Sequence, residues 1–315
     1  MKEKKNYLLI DLGGTKTAVA IGFDDANIVD RTEFPTSGVE ETLKRIFELA
    51  KVLIEKYHPL AIGISCGGPL SSRSGTIICP PNMPSWKNVK IVEIFEKQFG
   101  LQTFLENDAN AGAIAEWIYG AGQGYDNVLF LTCGTGLGAG LILDSRLYRG
   151  KQDLAGEIGH IRMEADGPIG FYKAGSLEGF ASGGGLTQIA KMKLAKPHVA
   201  SILDDIPIDK ITSKDVGQAA LSGDEFAKSL VEISGRYLGR GLAILIDTLN
   251  PECIVLGSMA VRLGKLLLEP AWEEIKKEAI EDAWRNCVIV PAKLGERIGD
   301  IAALCVAKYN LEHQR

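Results

Sequence analysis

The chain has 315 residues, 46 % of them hydrophobic, which is material for two cores rather than one. Its net charge of −5 argues against a general affinity for nucleic acid or for an anionic membrane, and favours small-molecule chemistry. Six cysteines without CxxC spacing, no basic-then-apolar leader and no apolar run near the ~20 residues of a membrane span predict a cytoplasmic protein with free thiols and no membrane partner.

The first element is a hairpin. Tyr7 to Ala20, YLLIDLGGTKTAVA, runs apolar, meets Asp11, Gly13, Gly14, Thr15 and Lys16, and resumes apolar. A carboxylate, a hydroxyl, an ammonium and unobstructed backbone N–H groups gather at that tip, as a bound polyphosphate requires. An ordinary tight hairpin with an aspartate beside it accounts for the same residues. Ile28 to Phe34 reads as a third strand. Val39 to Tyr57 carries apolar residues at the three-to-four spacing of a helix with one buried face. Leu60 to Ser65 is a short strand ended by Gly67, Gly68 and Pro69, and Pro80, Pro81 and Pro84 make the stretch to Trp86 a loop. Val89 to Phe99 reads as a helix, Thr103 to Leu105 as a strand running into Glu106, Asn107 and Asp108, and Asn110 to Tyr119 as an Ala-rich helix. Glycines at 120, 122 and 124 mark a boundary.

Beyond it, Val128 to Leu143, VLFLTCGTGLGAGLIL, repeats the opening device: a shift of 121 residues lays Ile10 to Gly14 over Leu131 to Thr135. Two units that each open on strand, Gly-turn and strand would present two phosphate-binding tips to a shared cleft. A glycine-rich stretch from Gly167 to Gly185 follows, then a long helix from Glu225 to Leu249, for which Ser222 and Glu225 form a capping-box pattern. Cys253 to Leu256 is a buried strand leading to Gly257 and Ser258, Val288 to Val290 a last strand, and Gly299 to Tyr309 a final helix that could cross back to the first unit.

Taken together, DLGGTK (Asp11–Lys16), CGGP (Cys66–Pro69), ENDANA (Glu106–Ala111), CGTGLGAG (Cys133–Gly140), GEIGH (Gly156–His160), LEGFASG (Leu177–Gly183) and NPECIVLGS (Asn250–Ser258) resemble the ordered signatures of the ROK family of sugar kinases. The resemblance spans residues 7 to about 305. It implies an α/β fold of the two-domain actin-like ATPase (ribonuclease H-like) type with a cleft between the domains. Residues 1–121 plus 299–315 would form the first domain and 122–298 the second. The implied activity is transfer of the γ-phosphoryl group of ATP, with Mg²⁺, to a hexose, most simply glucose. N-acetylmannosamine, N-acetylglucosamine and fructose stand as alternative acceptors, and a homodimer is the implied assembly. Two readings outside catalysis are a sugar sensor and the family's repressors. Only ten residues precede Asp11, too few for a helix-turn-helix, so a repressor is not expected.

Phosphoryl transfer needs a base for the acceptor hydroxyl, donors for the phosphates and charge neutralisation. By resemblance Asp108 is that base, although an aspartate opening a helix is also an ordinary N-cap. Asn107, Glu157, His160 and Glu178 would hold sugar hydroxyls, with Gly68 beside them and Asn82 contributed by the proline-rich loop. Glu157 and His160 stand three apart, so in a helical turn they face one way. Asp11 would orient Mg²⁺ through water, since Mg²⁺ keeps much of its hydration shell. Gly13, Gly14, Thr15 and Lys16, with Thr132, Gly134, Thr135 and Gly136, would meet the phosphates. Gly257 would leave room for adenosine.

One departure is plain. Where most members carry CxCGxxGC and bind a structural zinc with the GEIGH histidine, this chain has IGFYKAGS, with Ile169, Phe171 and Ser176 at the cysteine positions. No zinc is expected, and packing of Phe171 and Tyr172 is the expected substitute for it.

Overall fold

The structure is a computed structural model that describes residues 4–313. Its elements, in chain order, are β1 (Asn6–Leu12), β2 (Lys16–Phe23), β3 (Ile28–Pro35), α1 (Val39–Tyr57), β4 (Ile62–Cys66), β5 (Leu70–Ser71), β6 (Thr76–Ile77), α2 (Ile91–Phe99), β7 (Thr103–Asn107) and α3 (Asp108–Tyr119). There follow β8 (Val128–Cys133), β9 (Leu137–Leu143), β10 (Arg146–Leu147), β11 (Ile169–Gly170), β12 (Lys173–Ala174), α4 (Leu177–Ala181), α5 (Gly183–Leu194), α6 (Ser213–Leu221) and α7 (Glu225–Leu249). The chain closes with β13 (Cys253–Leu256), α8 (Met259–Leu263), α9 (Lys265–Glu278), α10 (Glu281–Arg285), β14 (Val288–Pro291) and α11 (Ile298–His313). None of these helices is long and apolar enough to cross a membrane.

Two five-stranded sheets repeat one plan. The first has the order β3-β2-β1-β4-β7 and the second β10-β9-β8-β13-β14. In each, an antiparallel meander supplies three strands and two parallel strands are added beside its first member. The inner parallel strands, β4 and β13, are buried along their length because both faces are covered. Helices α1 and α2 cover one face of the first sheet, where Leu43, Ile46 and Phe95 meet Leu8, Ile10 and Ile64. Helices α4 to α9 cover the outer face of the second. Between the sheets lie α3 and α11, which share a core of Ile114, Phe130, Ile142, Ile301 and Val306.

Glycine makes that middle layer thin. A methyl group on Gly63 of β4 would stand 2.0 Å from the carbonyl oxygen of Ala303, so α11 rests directly on the first sheet. One on Gly140 of β9 would stand 2.4 Å from the carbonyl oxygen of Ala109, so α3 rests directly on the second. Buried Glu116 closes the same layer, accepting hydrogen bonds from the backbone N–H groups of Ala121, Lys293 and Leu294.

Several expectations are corrected. The proline-rich loop contains a small hairpin, β5 against β6. Helix α3 begins at Asp108 and not at Asn110. The Ser222 capping box does not exist. Ser222 ends α6, its hydroxyl donating to the carbonyl of Ala219, and Gly223 turns the chain with a positive φ, so Asp224 caps α7 by accepting from Ala227 N–H. A true capping box opens α6, from Thr212 and Asp215. The expected division at residues 1–121, 122–298 and 299–315 extends at both ends beyond the described residues.

Gly63→Ala should therefore lower the melting temperature, because the methyl meets a helix backbone that cannot swing aside as a side chain would. The cost of such overpacking is about 1–3 kcal/mol. Calorimetry reads it, with Gly38→Ala, where a methyl meets nothing within 4 Å, as the comparison.

Candidate active site

Asp11 is the penultimate residue of β1, in register with Ser65 on β4. The following turn is tight: Gly13 N–H donates to the carbonyl of Lys16 at 3.0 Å, and the Thr36 hydroxyl donates to the carbonyl of Gly13 at 2.7 Å. Thr15 is exposed at the tip. Lys16, expected beside the phosphates, is paired with Glu33 on β3 at 3.1 Å. Gly14 lies against the proline-rich loop, since a methyl there would stand 2.6 Å from Asn82 Cβ. Asp11, Gly13, Gly14, Gly68, Asn82 and Asp108 line one cavity of about 150 Å³. A larger cavity of about 710 Å³ contains none of the residues singled out in the sequence.

Asp108 is the first residue of α3, and the cap is Asn107, whose Oδ1 accepts from Ala109 N–H at 3.0 Å. The same N–H reaches Asp108 Oδ1 at 2.8 Å. With Asn107 serving as cap, Asp108 Oδ2 is free to face the cleft, where a methyl on Gly67 would stand 4.0 Å from it. Asn107 turns its amide toward Gly68, 3.0 Å from where a methyl would be. Water reaches Asp108, but protein rings it on the other sides. This loss of hydration raises its proton affinity above the ordinary aspartate value of 3.8, opposed by the Ala109 hydrogen bond and reinforced by the charge of Glu157.

Asp11 behaves likewise. Burial, then the charges of Asp300 and Asp108, push it up to about 6 against the opposing pull of Arg31 and Lys16. Its carboxylate touches the start of α11, because Gly299 has no side chain: a methyl there would stand 2.2 Å from Asp11 Oδ2.

The second sheet carries the remaining residues expected at the site, none of which lines that cavity of about 150 Å³. Thr132 and Cys133 end β8, and Gly134, Thr135 and Gly136 turn the chain into β9. The carbonyls of Gly134 and Thr135 accept from Gly183 and Gly184 N–H at the start of α5, at 2.7 and 3.0 Å. Glu178 fixes the far end of this loop, its Oε2 accepting from Leu137 N–H at 2.8 Å. The GEIGH segment is a single 3-10 turn, Ile158–His160, with Glu157 at its start. Gly159 lets it close on Glu178, whose Cβ would be 3.1 Å from a methyl there. Both Glu157 and His160 are exposed to the open cleft. Desolvation raises Glu157, countered by His160 and assisted by Glu178.

Gly257 is pressed by protein: a methyl would meet the Phe130 ring at 3.3 Å and the Leu131 carbonyl at 3.4 Å, which is reason enough for glycine whatever binds nearby. Ser258, not singled out in the sequence, stands across the second loop, its Oγ 3.7 Å from a methyl position on Gly134. Its sequence signal was its place after a buried strand, at the end of NPECIVLGS.

The segment that lacks cysteines is a two-residue hairpin, β11 to β12, with Phe171 and Tyr172 both at positive φ in the turn. They do not hold the loop by packing: Phe171 is 53 % and Tyr172 89 % exposed, and Phe171 meets the His160 ring edge-on at 5.8 Å. Hydrogen bonds hold it instead. Arg162 Nη1 donates to the carbonyls of Glu164, Ala165 and Ala174 at 3.1 to 3.2 Å, and the Gln188 amide pairs with both backbone groups of Ile169. Ile169 and Phe171 offer no ligating atom and the Ser176 hydroxyl caps α4 by accepting from Gly179 N–H, so the residues present do not fit a zinc ion.

Two sheets of matching order, with helices crossing between them and a glycine loop from each facing one cleft, define the actin-like ATPase fold. The ROK family pattern matches residues 7–310, and the chain belongs to the ROK family. It is 33 % identical over 307 residues to a glucokinase of Streptomyces coelicolor, covering 95 % of this chain and 96 % of that one. It is 32 % identical over 265 residues to a xylose repressor of Caldicellulosiruptor bescii, covering 82 % and 66 %. Among solved structures, a ROK family glucokinase from Streptomyces griseus in complex with glucose and AMPPNP superposes with a TM-score of 0.80 at 32 % identity, covering 98 % and 100 %.

Two outcomes test this site. Asp11 takes up its proton more readily folded than unfolded, so between pH 3.8 and about 6 stability falls as pH rises, and above that window the carboxylate is a net cost. Without metal at pH 7, Asp11→Asn should melt a few degrees above the wild type, with the gap closing near pH 4. In the loop, Arg162→Ala should lower the melting temperature while Phe171→Ala leaves it nearly unchanged.

Proposed function

We propose that this protein is an ATP-dependent sugar kinase that transfers the γ-phosphoryl group to a hexose hydroxyl, with glucose the best-supported acceptor. The observation that carries the reading is Asp108: a carboxylate at the start of a helix, open to a cavity that it shares with Asp11 and with the glycine turns at residues 13–14 and 67–68, with raised proton affinity. The similarity to glucokinases along nearly the whole chain supports glucose.

In this reading Glu157, His160 and Asn107 hold ring hydroxyls, Glu178 contributes its Oε1, and Asn82 and Gly68 close the first-sheet side. Asp108 accepts the proton of the acceptor hydroxyl as the oxygen attacks the γ-phosphorus, and its raised proton affinity makes it a better acceptor than a solvated aspartate. Backbone N–H groups of residues 14–15 and 134–136, with the Thr132 and Thr135 hydroxyls, cradle the phosphates, around a turn that Gly13 N–H closes. Gly257 and Ser258 lie on the nucleotide side. The carboxylate of Asp11 has no hydrogen-bond donor among the described residues and borders the cavity, which fits a Mg²⁺ ion held through water; that ion would neutralise phosphate charge. We assign the first domain to residues 1–121 with 299–315 and the second to 122–298, closing on one another over the substrates. A cytoplasmic homodimer completes the proposal, and sedimentation tests the dimer.

The test is coupled ADP release with Mg-ATP against glucose, N-acetylmannosamine, N-acetylglucosamine and fructose. Turnover is expected on glucose. Asp108→Asn should lose about 10²- to 10⁴-fold, the usual contribution of a general base. The acid limb of wild-type kcat/KM should fall through a pKa above 3.8. No turnover on any sugar would leave a sugar-binding protein of the kind its repressor relative represents, and full activity of Asp108→Asn would remove the base.

A further inference from the structure

Building on the kinase reading, we propose that residues Tyr148–Gly156 form a strap that keeps the sugar-holding groups in register with Asp108, and that Arg149 is its positioning residue. The strap leaves β10 of the second sheet and runs into Glu157 and His160, yet it is pinned at two points to the first half of the molecule.

The first pin is Glu106, fully buried and two residues before Asp108. Its Oε1 accepts from the backbone N–H of Asn107, from Asn110 Nδ2 and from Ser72 Oγ, each at 3.0 Å. The first two donors belong to the cap and first turn of α3, so the carboxylate is part of the frame on which Asp108 sits. Its Oε2 accepts from Arg149 Nε at 2.7 Å, and the same guanidinium donates through Nη2 to Asn310 Oδ1 at 3.2 Å, near the end of α11. One planar fork thus joins the strap to β7 and to α11 at once, a geometry that lysine's single ammonium cannot reproduce.

The second pin is Asp153, four residues on. It accepts from Ser71 Oγ at 3.1 Å and from Arg73 N–H at 3.4 Å, and lies 3.6 Å from Arg73 Nε. Arg73 Nη2 returns a bond to the carbonyl of Gly150 at 2.8 Å. Beyond this pin, Gly156 is wedged on β9, where a methyl would stand 2.0 Å from the Ala139 carbonyl oxygen. Glu157 therefore emerges from a segment with no slack, held on one side by the frame of the base and on the other by the second sheet. A buried ion pair adds little net stability relative to an apolar pair of the same volume, and its better-attested value is in fixing one arrangement. Here the arrangement fixed is the distance between the groups that hold the sugar ring and the carboxylate that takes its proton.

The experiment is steady-state kinetics of Arg149→Lys with glucose and ATP varied in turn. A loss of roughly 10- to 100-fold in kcat/KM for the sugar is expected, the scale of a misplaced reactant, with the KM for ATP within about twofold of wild type. A lower melting temperature with kcat and both KM values unchanged would mean a merely structural pair and would overturn the proposal, as would an equal rise in both KM values. Arg149→Met strands a buried carboxylate and can fail to fold. The double variant Glu106→Gln/Arg149→Met removes the stranded charge and should fold without regaining the sugar kcat/KM; full recovery would also overturn the proposal. Calorimetric titration of glucose without ATP separates the two readings. Weaker binding to Arg149→Lys in a wild type that turns over no sugar sustains the strap and sinks the kinase. Turnover by the wild type, with both glucose binding and sugar kcat/KM unchanged in Arg149→Lys, does the reverse.

Discussion

The close approach of α3 to β9 is the contact on which the rest depends. Gly140 and Gly112 omit the side chains that would otherwise push the helix off: methyl groups there would stand 2.4 Å from the Ala109 carbonyl oxygen and 2.6 Å from the Phe130 ring. Because the helix lies this low, its first turn rests on the start of β9, where a methyl on Gly138 would stand 3.4 Å from Ala109 Cβ. The alanines of DANAGAIAE serve the same end, being the helix formers that add least bulk. On the other face of the layer Gly63 lets α11 sit on the first sheet. Two sheets are thereby held one helix layer apart, and the cleft is what remains between their loop ends.

Into that cleft the fold places carboxylates that it does not neutralise. Asp11 and Asp108 share one small cavity, and the charge of Asp108 raises the proton affinity of Asp11 on top of burial. Structural carboxylates in the same molecule are treated differently: Glu106 is met by four donors, Glu116 by three backbone N–H groups and Glu274 by Arg236 and Arg240. The contrast separates charge that the fold pairs from charge that it leaves open at the cavity. Asp11 and Asp108 cost stability as they stand, which is the ordinary sign of a site whose partner arrives from outside.

Much of the fold was legible because its signals are local. Apolar runs gave the strands, the spacing from Val39 to Tyr57 gave α1 to the residue, and the repeat of the Gly-turn hairpin foretold two sheets of one plan. Of the site, the residues that later converge on the cavity were readable from their motifs. What stayed hidden depends on partners distant in the chain. Gln188 grips Ile169 from 19 positions away, and Arg149 reaches Glu106 across 43. Neither pairing leaves a periodicity or a spacing to find. Ser222 misled because its pattern is local but the preceding helix had already claimed it as an end, and Asp108 resembled a cap because Asn107, a better-placed residue of the same kind, stood one position ahead.

The central claim is that Asp108 meets the hydroxyl that receives the phosphoryl group. A crystal structure with glucose and a non-hydrolysable ATP analogue bound tests it most directly. The account predicts an Asp108 carboxylate oxygen at about 2.6–3.2 Å from the sugar hydroxyl that faces the terminal phosphate, with Glu157 and His160 on the other ring hydroxyls. A sugar seated with that hydroxyl on another group, and Asp108 still bonded only to Ala109 N–H, would contradict it.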